Sequence, residues 1–140
     1  MEILHEVAMP LTHNLALPFC VKVDDHYFPT RDWEDFAFPI IIDWLDCVEK
    51  LCKQTEGCEK LFFMNGAYYI LCNKKHRFVT LYGYRLDEYE PYFEYACELS
   101  DLYQTIWNAG AELTKQMSVL APDIAERDHY VSYLYAKVFV

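Results

Sequence analysis

The run Glu59-Lys-Leu-Phe-Phe-Met-Asn-Gly-Ala-Tyr-Tyr-Ile-Leu-Cys72 constrains the fold more than any other stretch of the chain. Asn65-Gly66 separates two apolar segments. A type I′ turn needs positive φ at both central residues, and Asn-Gly supplies it at little cost. The run therefore predicts a β-hairpin. Both parities of its arms are apolar, which predicts central strands buried on both faces. Asn73 to His76 reads as a second turn, Phe78 to Tyr84 as a third strand and Pro91 to Leu99 as a fourth. That order predicts an antiparallel meander.

Amphipathic helices flank this meander. Ile40, Ile41, Trp44, Leu45, Val48 and Leu51 recur at three and four, while Asp43, Asp46, Glu49, Lys50 and Lys53 take the other face. Asp32 or Asp35 is expected to cap this helix, Pro39 suits its first turn, and Thr55-Glu-Gly57 is expected to end it. Ser100 is expected to cap a long helix from Asp101. Its stripe is Leu102, Ile106, Ala109, Leu113, Met117 and Leu120, and Ala121-Pro122 breaks it. Gly110 within it marks either close packing or a weak point. Upstream, residues 2 to 9 predict a short strand and Pro10 to Pro18 a connection. Phe19 to Phe28 predicts a hairpin turning at Asp24-Asp25, closed by Pro29. In the tail, Ile124, Val131, Leu134, Tyr135 and Val138 favour helix, although Tyr130 to Val140 is also rich in strand formers. The expectation is one α+β domain, 1–140: a mostly antiparallel β-meander sheet of about five or six strands, packed against an amphipathic helix and a long C-terminal helical region.

Charge narrows the partners. Twenty-two acids stand against 12 Lys and Arg, giving a net charge of −10. Such a chain repels phosphate backbones and anionic membranes, so no nucleic-acid and no membrane partner is expected. A cationic protein is favoured instead. The six cysteines, at 20, 47, 52, 58, 72 and 97, form no CxxC pair, and no His lies three to five residues from another. Zinc-site spacing is absent, so no metal and no cofactor is expected. Met-Glu-Ile-Leu-His-Glu at the start has neither a basic n-region nor an apolar h-region. Reduced thiols and a cytoplasmic location are expected. The longest apolar run, Phe36 to Ile42, is too short to span a bilayer.

The segment Arg85 to Asp101 stands out for function. Asp87, Glu88, Glu90, Glu94, Glu98 and Asp101 face the single cation Arg85. From position 90 it alternates: Glu90, Tyr92, Glu94, Ala96 and Glu98 share one parity, Pro91, Phe93, Tyr95, Cys97 and Leu99 the other. On a strand the second set enters a core and the first faces solvent. Asp87, Glu88, Glu90, Tyr92, Glu94 and Glu98 are the expected partner contacts, and the bland alternative is a solvated face that aids solubility. Tyr suits interfaces because it joins a large rigid area to a polar tip. Of Tyr68, Tyr69, Tyr82, Tyr84, Tyr89, Tyr92 and Tyr95, only Tyr89 and Tyr92 are set apart as interface candidates. The rest read as ordinary strand packing.

No catalytic motif competes with this surface, and no enzymatic activity is expected. Cys20 and His26 flank one hairpin, but nothing in the sequence orients them. Asp32, Glu34 and Asp35 cluster before a helix, where capping and dipole compensation explain them. His26 and His76 fall in turns. Trp44 and Trp107 sit at core positions, and Trp33 is expected to staple onto Ala37. The alternative reading is a small-ligand or regulatory module with a pocket lined by these tryptophans.

Phe28-Pro-Thr-Arg-Asp-Trp-Glu-Asp-Phe-Ala-Phe-Pro-Ile-Ile-Ile-Asp-Trp44 follows a pattern of Phe-Pro, then Trp and Asp, then an aliphatic run ending near Trp. Phe62-Phe-Met-Asn-Gly-Ala-Tyr-Tyr-Ile70 follows with an "aromatic, acidic or Asn, Gly, small, Tyr" hairpin, and a strand then leads into a C-terminal helix. In these motifs, over residues 19 to 121, the chain resembles a bacterial group placed among the immunity proteins of polymorphic toxin systems. The resemblance implies a non-enzymatic inhibitor that binds a cognate toxin. It carries no binding residues across, because such surfaces diversify with their toxins.

Overall fold

A computed structural model describes residues 1–7 and 15–140. Part of the predicted first strand and most of the Pro10 to Pro18 connection lie outside the described residues. The described residues form two four-stranded antiparallel sheets and four helices. The first sheet contains β1 (Glu2–His5), β2 (Leu17–Val23), β3 (His26–Phe28) and β4 (Glu34–Asp35), with β2 pairing all three others. Asp24, at φ 53°, makes the expected turn between β2 and β3. Helix α1 (Ala37–Cys52) follows. The second sheet is the expected meander, β5 (Glu56–Phe62), β6 (Tyr68–Lys75), β7 (Phe78–Arg85) and β8 (Phe93–Glu98), in sequence order. Helices α2 (Leu99–Leu120), α3 (Pro122–Arg127) and α4 (His129–Phe139) complete the chain, so the tail is helical.

The α+β class holds, while several local expectations do not. The 65–66 turn is not type I′: only Gly66, at φ 146°, has positive φ there, and residues 63–67 form a longer connection. Tertiary contacts set this loop. Asn65 Nδ2 donates to the Glu34 carbonyl, Met64 N to Asp35 Oδ2, and the Trp33 ring lies against Gly66. Strand β5 is not central but an edge. Its alternating exposure is the pattern of a strand covered on one face only.

Helix ends also differ. Neither Asp32 nor Asp35 caps α1; Phe36 holds the N-cap position without a side-chain bond. Asp32 accepts from the Thr30 hydroxyl. Asp35 is fully buried and accepts from Trp33 Nε1 (2.9 Å), Phe36 N (2.8 Å) and Met64 N (3.1 Å), pinning β4 to the 63–67 connection. Gly57 lies in β5 and does not stop α1. The helix ends at Cys52, and there buried Lys74 reaches across from β6, its Nζ donating to the Leu51 carbonyl at 2.7 Å and to that of Gln54 just past the end. A cation on the last carbonyls also complements the helix dipole. Helix α2 begins at Leu99 rather than Asp101, with Glu98 at its N-cap and Ser100 inside its first turn.

The core lies on the inner side of the meander. Leu61, Ile70, Cys72, Val79 and Leu81 meet Trp44, Val48 and Leu51 of α1 and Leu102, Ile106 and Leu113 of α2 in one buried cluster. Trp44 is fully buried against Phe19 and Phe63 and donates its indole N–H to the Phe62 carbonyl at 2.9 Å. Gly110 marks close packing: a Cβ there would meet Ile41 of α1 at 3.1 Å and Leu134 of α4 at 3.3 Å.

Candidate partner-binding face

Antiparallel registers decide which side chains share the outer face of the meander. Phe62 lies across from Tyr69, and Tyr69 from Tyr84. Lys60 lies across from Leu71, Leu71 from Tyr82, and Tyr82 from Glu94. Lys75, Phe78 and Glu98 form a third row. Since helices cover the inner face, this side meets solvent. Phe62 is 42% and Phe78 48% exposed, and Tyr69, Leu71, Tyr82 and Tyr84 are partly exposed.

The rings form a continuous series. Phe62 and Tyr69 have centroids 5.6 Å apart; Tyr69 and Tyr84, also 5.6 Å apart, stack at 23°; Tyr84 and Tyr82 lie 6.3 Å apart. Cations use the rings. Lys60 Nζ stands 5.0 Å over Tyr69 and the Arg77 guanidinium 5.0 Å over Phe78. The Glu94 carboxylate, across the strand pair from Tyr82, pushes that phenol up from its ordinary range. Glu98 lies 3.9 Å from Arg77, both side chains largely exposed. At that distance and exposure the pair stabilises little.

The structure divides the six expected contacts between two places. Glu94 and Glu98 lie on the outer face of β8. Asp87, Glu88 and Glu90 lie on the exposed 86–92 connection, since β8 begins only at Phe93. Arg85 pairs with Asp87 at 3.0 Å and Glu88 at 3.8 Å. Glu90 makes no ion pair among the described residues. Asp101 is apart, in the first turn of α2, where a carboxylate favours the helix dipole. Tyr92 is exposed as expected, at 48%, but off the row of the β8 carboxylates: its ring leans on Phe28 and Tyr68, and its hydroxyl donates to Glu88 at 3.0 Å, which raises its pKa. Tyr89 is the more exposed of the two, at 97%, between two glutamates. Sequence reasoning did not single out Phe62 and Phe78, and it read Tyr69, Tyr82 and Tyr84 as ordinary strand packing. The signal was the hairpin register, which places Phe62, Tyr69 and Tyr84 in one row.

Other candidate chemistry is not assembled. Cys20 is buried, and burial pushes its thiol up, opposite to what an activated nucleophile needs. Its hydrogen-bond partner is the Arg31 carbonyl, and His26 pairs across from Val23. Burial likewise pushes the Cys47 thiol up to about 11. Trp33, expected to staple onto Ala37, lies 5.4 Å from Tyr68 and bonds Asp35. Trp44 lies in the core and Trp107 packs at its margin. Among the described residues, no three His, Cys, Asp or Glu side chains are grouped to hold a metal, and no helix is long and apolar enough to cross a membrane. Comparison with known proteins finds no matching family model, curated protein or solved structure.

Proposed function

We propose that this is a non-enzymatic, immunity-type protein of the cytoplasm that captures and occludes a basic protein, its cognate toxin, through the outer face of the meander and the adjoining acidic connection. One observation carries the reading: an uncovered sheet face bears a continuous series of aromatic rings and is bordered by carboxylates, of which Glu90 and Glu94 have no ion-pair partner among the described residues. A solvated face that served only solubility would need no row of rings. Antiparallel sheets ordinarily present polar residues there, and exposed apolar patches mark interaction sites.

Charge sets the kind of partner. On the face and its border, Asp87, Glu88, Glu90, Glu94 and Glu98 stand against Lys60, Lys75, Arg77 and Arg85, and the whole chain carries a net −10. Long-range attraction then accelerates encounter with a cationic surface. A toxin whose active site binds phosphates, such as a nuclease, presents such a surface. Carboxylates of the inhibitor occupy the phosphate positions, and the aromatic face shields them from water. That the partner is a toxin is drawn from the resemblance, and that it is basic from the charge.

The test is co-expression with the product of the adjoining gene. The reading expects that product to be toxic alone, to be neutralised in the presence of this protein, and to co-purify with it at low salt. A neighbour that is harmless, or that is neutralised without forming a complex, contradicts it.

A further inference from the structure

We propose that Tyr69, Tyr84 and Tyr82, together with Glu94, form a platform that reads arginine, taking the guanidinium groups of an extended segment of the basic partner. This inference rests on the partner-binding reading above and names which cation that face selects.

The geometry supplies both halves of guanidinium recognition. Tyr69 and Tyr84, on neighbouring strands, stack on each other at 23° with centroids 5.6 Å apart, which leaves the outer faces of the pair for a cation. Tyr82 extends it toward β8, and Glu94 stands directly across from Tyr82. A guanidinium is planar, weakly hydrated and carries a fork of N–H donors. It stacks on a ring while bonding a carboxylate, whereas the compact ammonium of Lys is strongly hydrated and acts as a point charge. The protein's own cations show that this face accepts such placement, with Lys60 over Tyr69 and Arg77 over Phe78, each at 5.0 Å. Lys60 is an exposed side chain on an edge strand, so an incoming guanidinium can replace it over the ring.

Stacked rings on an open sheet also suit unpaired nucleotide bases. Such sites combine the rings with a positive groove for the backbone. Here the cations are separate and engaged, Lys60 over Tyr69 and Arg77 over Phe78 and beside Glu98, and form no continuous positive groove, while Glu94 stands across from Tyr82 and Asp87, Glu88 and Glu90 border the face. The occupant is therefore a cationic peptide segment.

The experiment is calorimetric titration of the full-length protein at low salt with two peptides, Arg-Gly-Arg-Gly-Arg and Lys-Gly-Lys-Gly-Lys. The arginine peptide is expected to bind about tenfold more tightly than the lysine peptide. Converting both Tyr69 and Tyr84 to Ser should remove that preference, whereas Tyr→Phe at both should keep it, because the ring face survives. Equal affinities, or a preference that persists in the double Ser variant, would overturn the platform. Charge reversal of Glu90, Glu94 and Glu98 separates the two proposals. If both peptides bind equally and both are lost on reversal, the platform falls and acidic capture stands. If neither peptide binds and reversal leaves capture of the adjoining gene product unchanged, both fall.

Discussion

The two faces of the meander are built from the same strands and made for different ends. Inward, Leu61, Ile70, Cys72, Val79 and Leu81 are at most 1% exposed and close a core with α1 and α2. Outward, one residue along each strand, stand Phe62, Tyr69, Leu71, Tyr82, Tyr84 and Phe78, apolar or aromatic yet open to water. The inner set is aliphatic and shape-matched to helices. The outer set is mostly aromatic, with hydroxyls that tolerate solvent and faces that tolerate cations. Burial explains the first set completely and the second hardly at all, so the outer rings are free to serve recognition.

The largest effect should separate neighbours in sequence. Leu81→Ala should cost about 2–5 kcal/mol of stability through lost transfer energy and a cavity. Tyr82→Ser, one residue on and facing outward, should change stability by no more than about 0.5–1 kcal/mol. Urea denaturation of both variants checks this, and similar losses would break the distinction between the faces. Gly83→Ala should follow at about 1–3 kcal/mol. A Cβ at Gly83 points inward into the Phe93 ring and meets Phe28 at 3.1 Å. A thermal melt indistinguishable from the parent would show that this end of the inner face has slack.

Reversing Glu90, Glu94 and Glu98 to Lys should cost no more than about 1 kcal/mol of stability, chiefly from a cation at the Glu98 N-cap of α2, because none of the three side chains is buried in the core. A large loss would assign these residues to the fold.

The smallest effect lies on the other sheet. His5 lies 3.5 Å from Glu112 of α2, and burial of its ring lowers its pKa, with Glu112 opposing in part. The unfolded chain therefore takes up a proton near the ordinary value of 6.5 while folded His5 still resists it. His5 thus contributes stability above that pH that fades as pH falls toward its folded value. His5→Gln should flatten the stability profile across this window in urea titrations, and an unaltered profile would show that His5 is not its source.

The sequence made the meander, its strand order and the amphipathic stripes of both long helices legible, because period-two and helical patterns are local. It did not show what ends the elements. At the end of helix α1, Lys74, some twenty residues downstream on β6, donates to the carbonyls of Leu51 and Gln54. The 63–67 connection takes its shape from Asp35 and Trp33, which precede α1. The acidic segment was legible as a charge surplus. The bend that turns Tyr92 onto Phe28 was not, since it depends on where β8 begins. The aromatic row was misread because two apolar parities look the same whether a strand is covered on both sides or shows rings to solvent.

The most direct test is the affinity of the Glu90→Lys, Glu94→Lys, Glu98→Lys protein for the adjoining gene product at low salt, measured beside the parent and at matched stability. Weakening by about a hundredfold or more, with the difference shrinking as salt rises, is the result expected for acidic capture. An affinity equal to that of the parent at low salt would contradict it and leave the carboxylates to solubility alone.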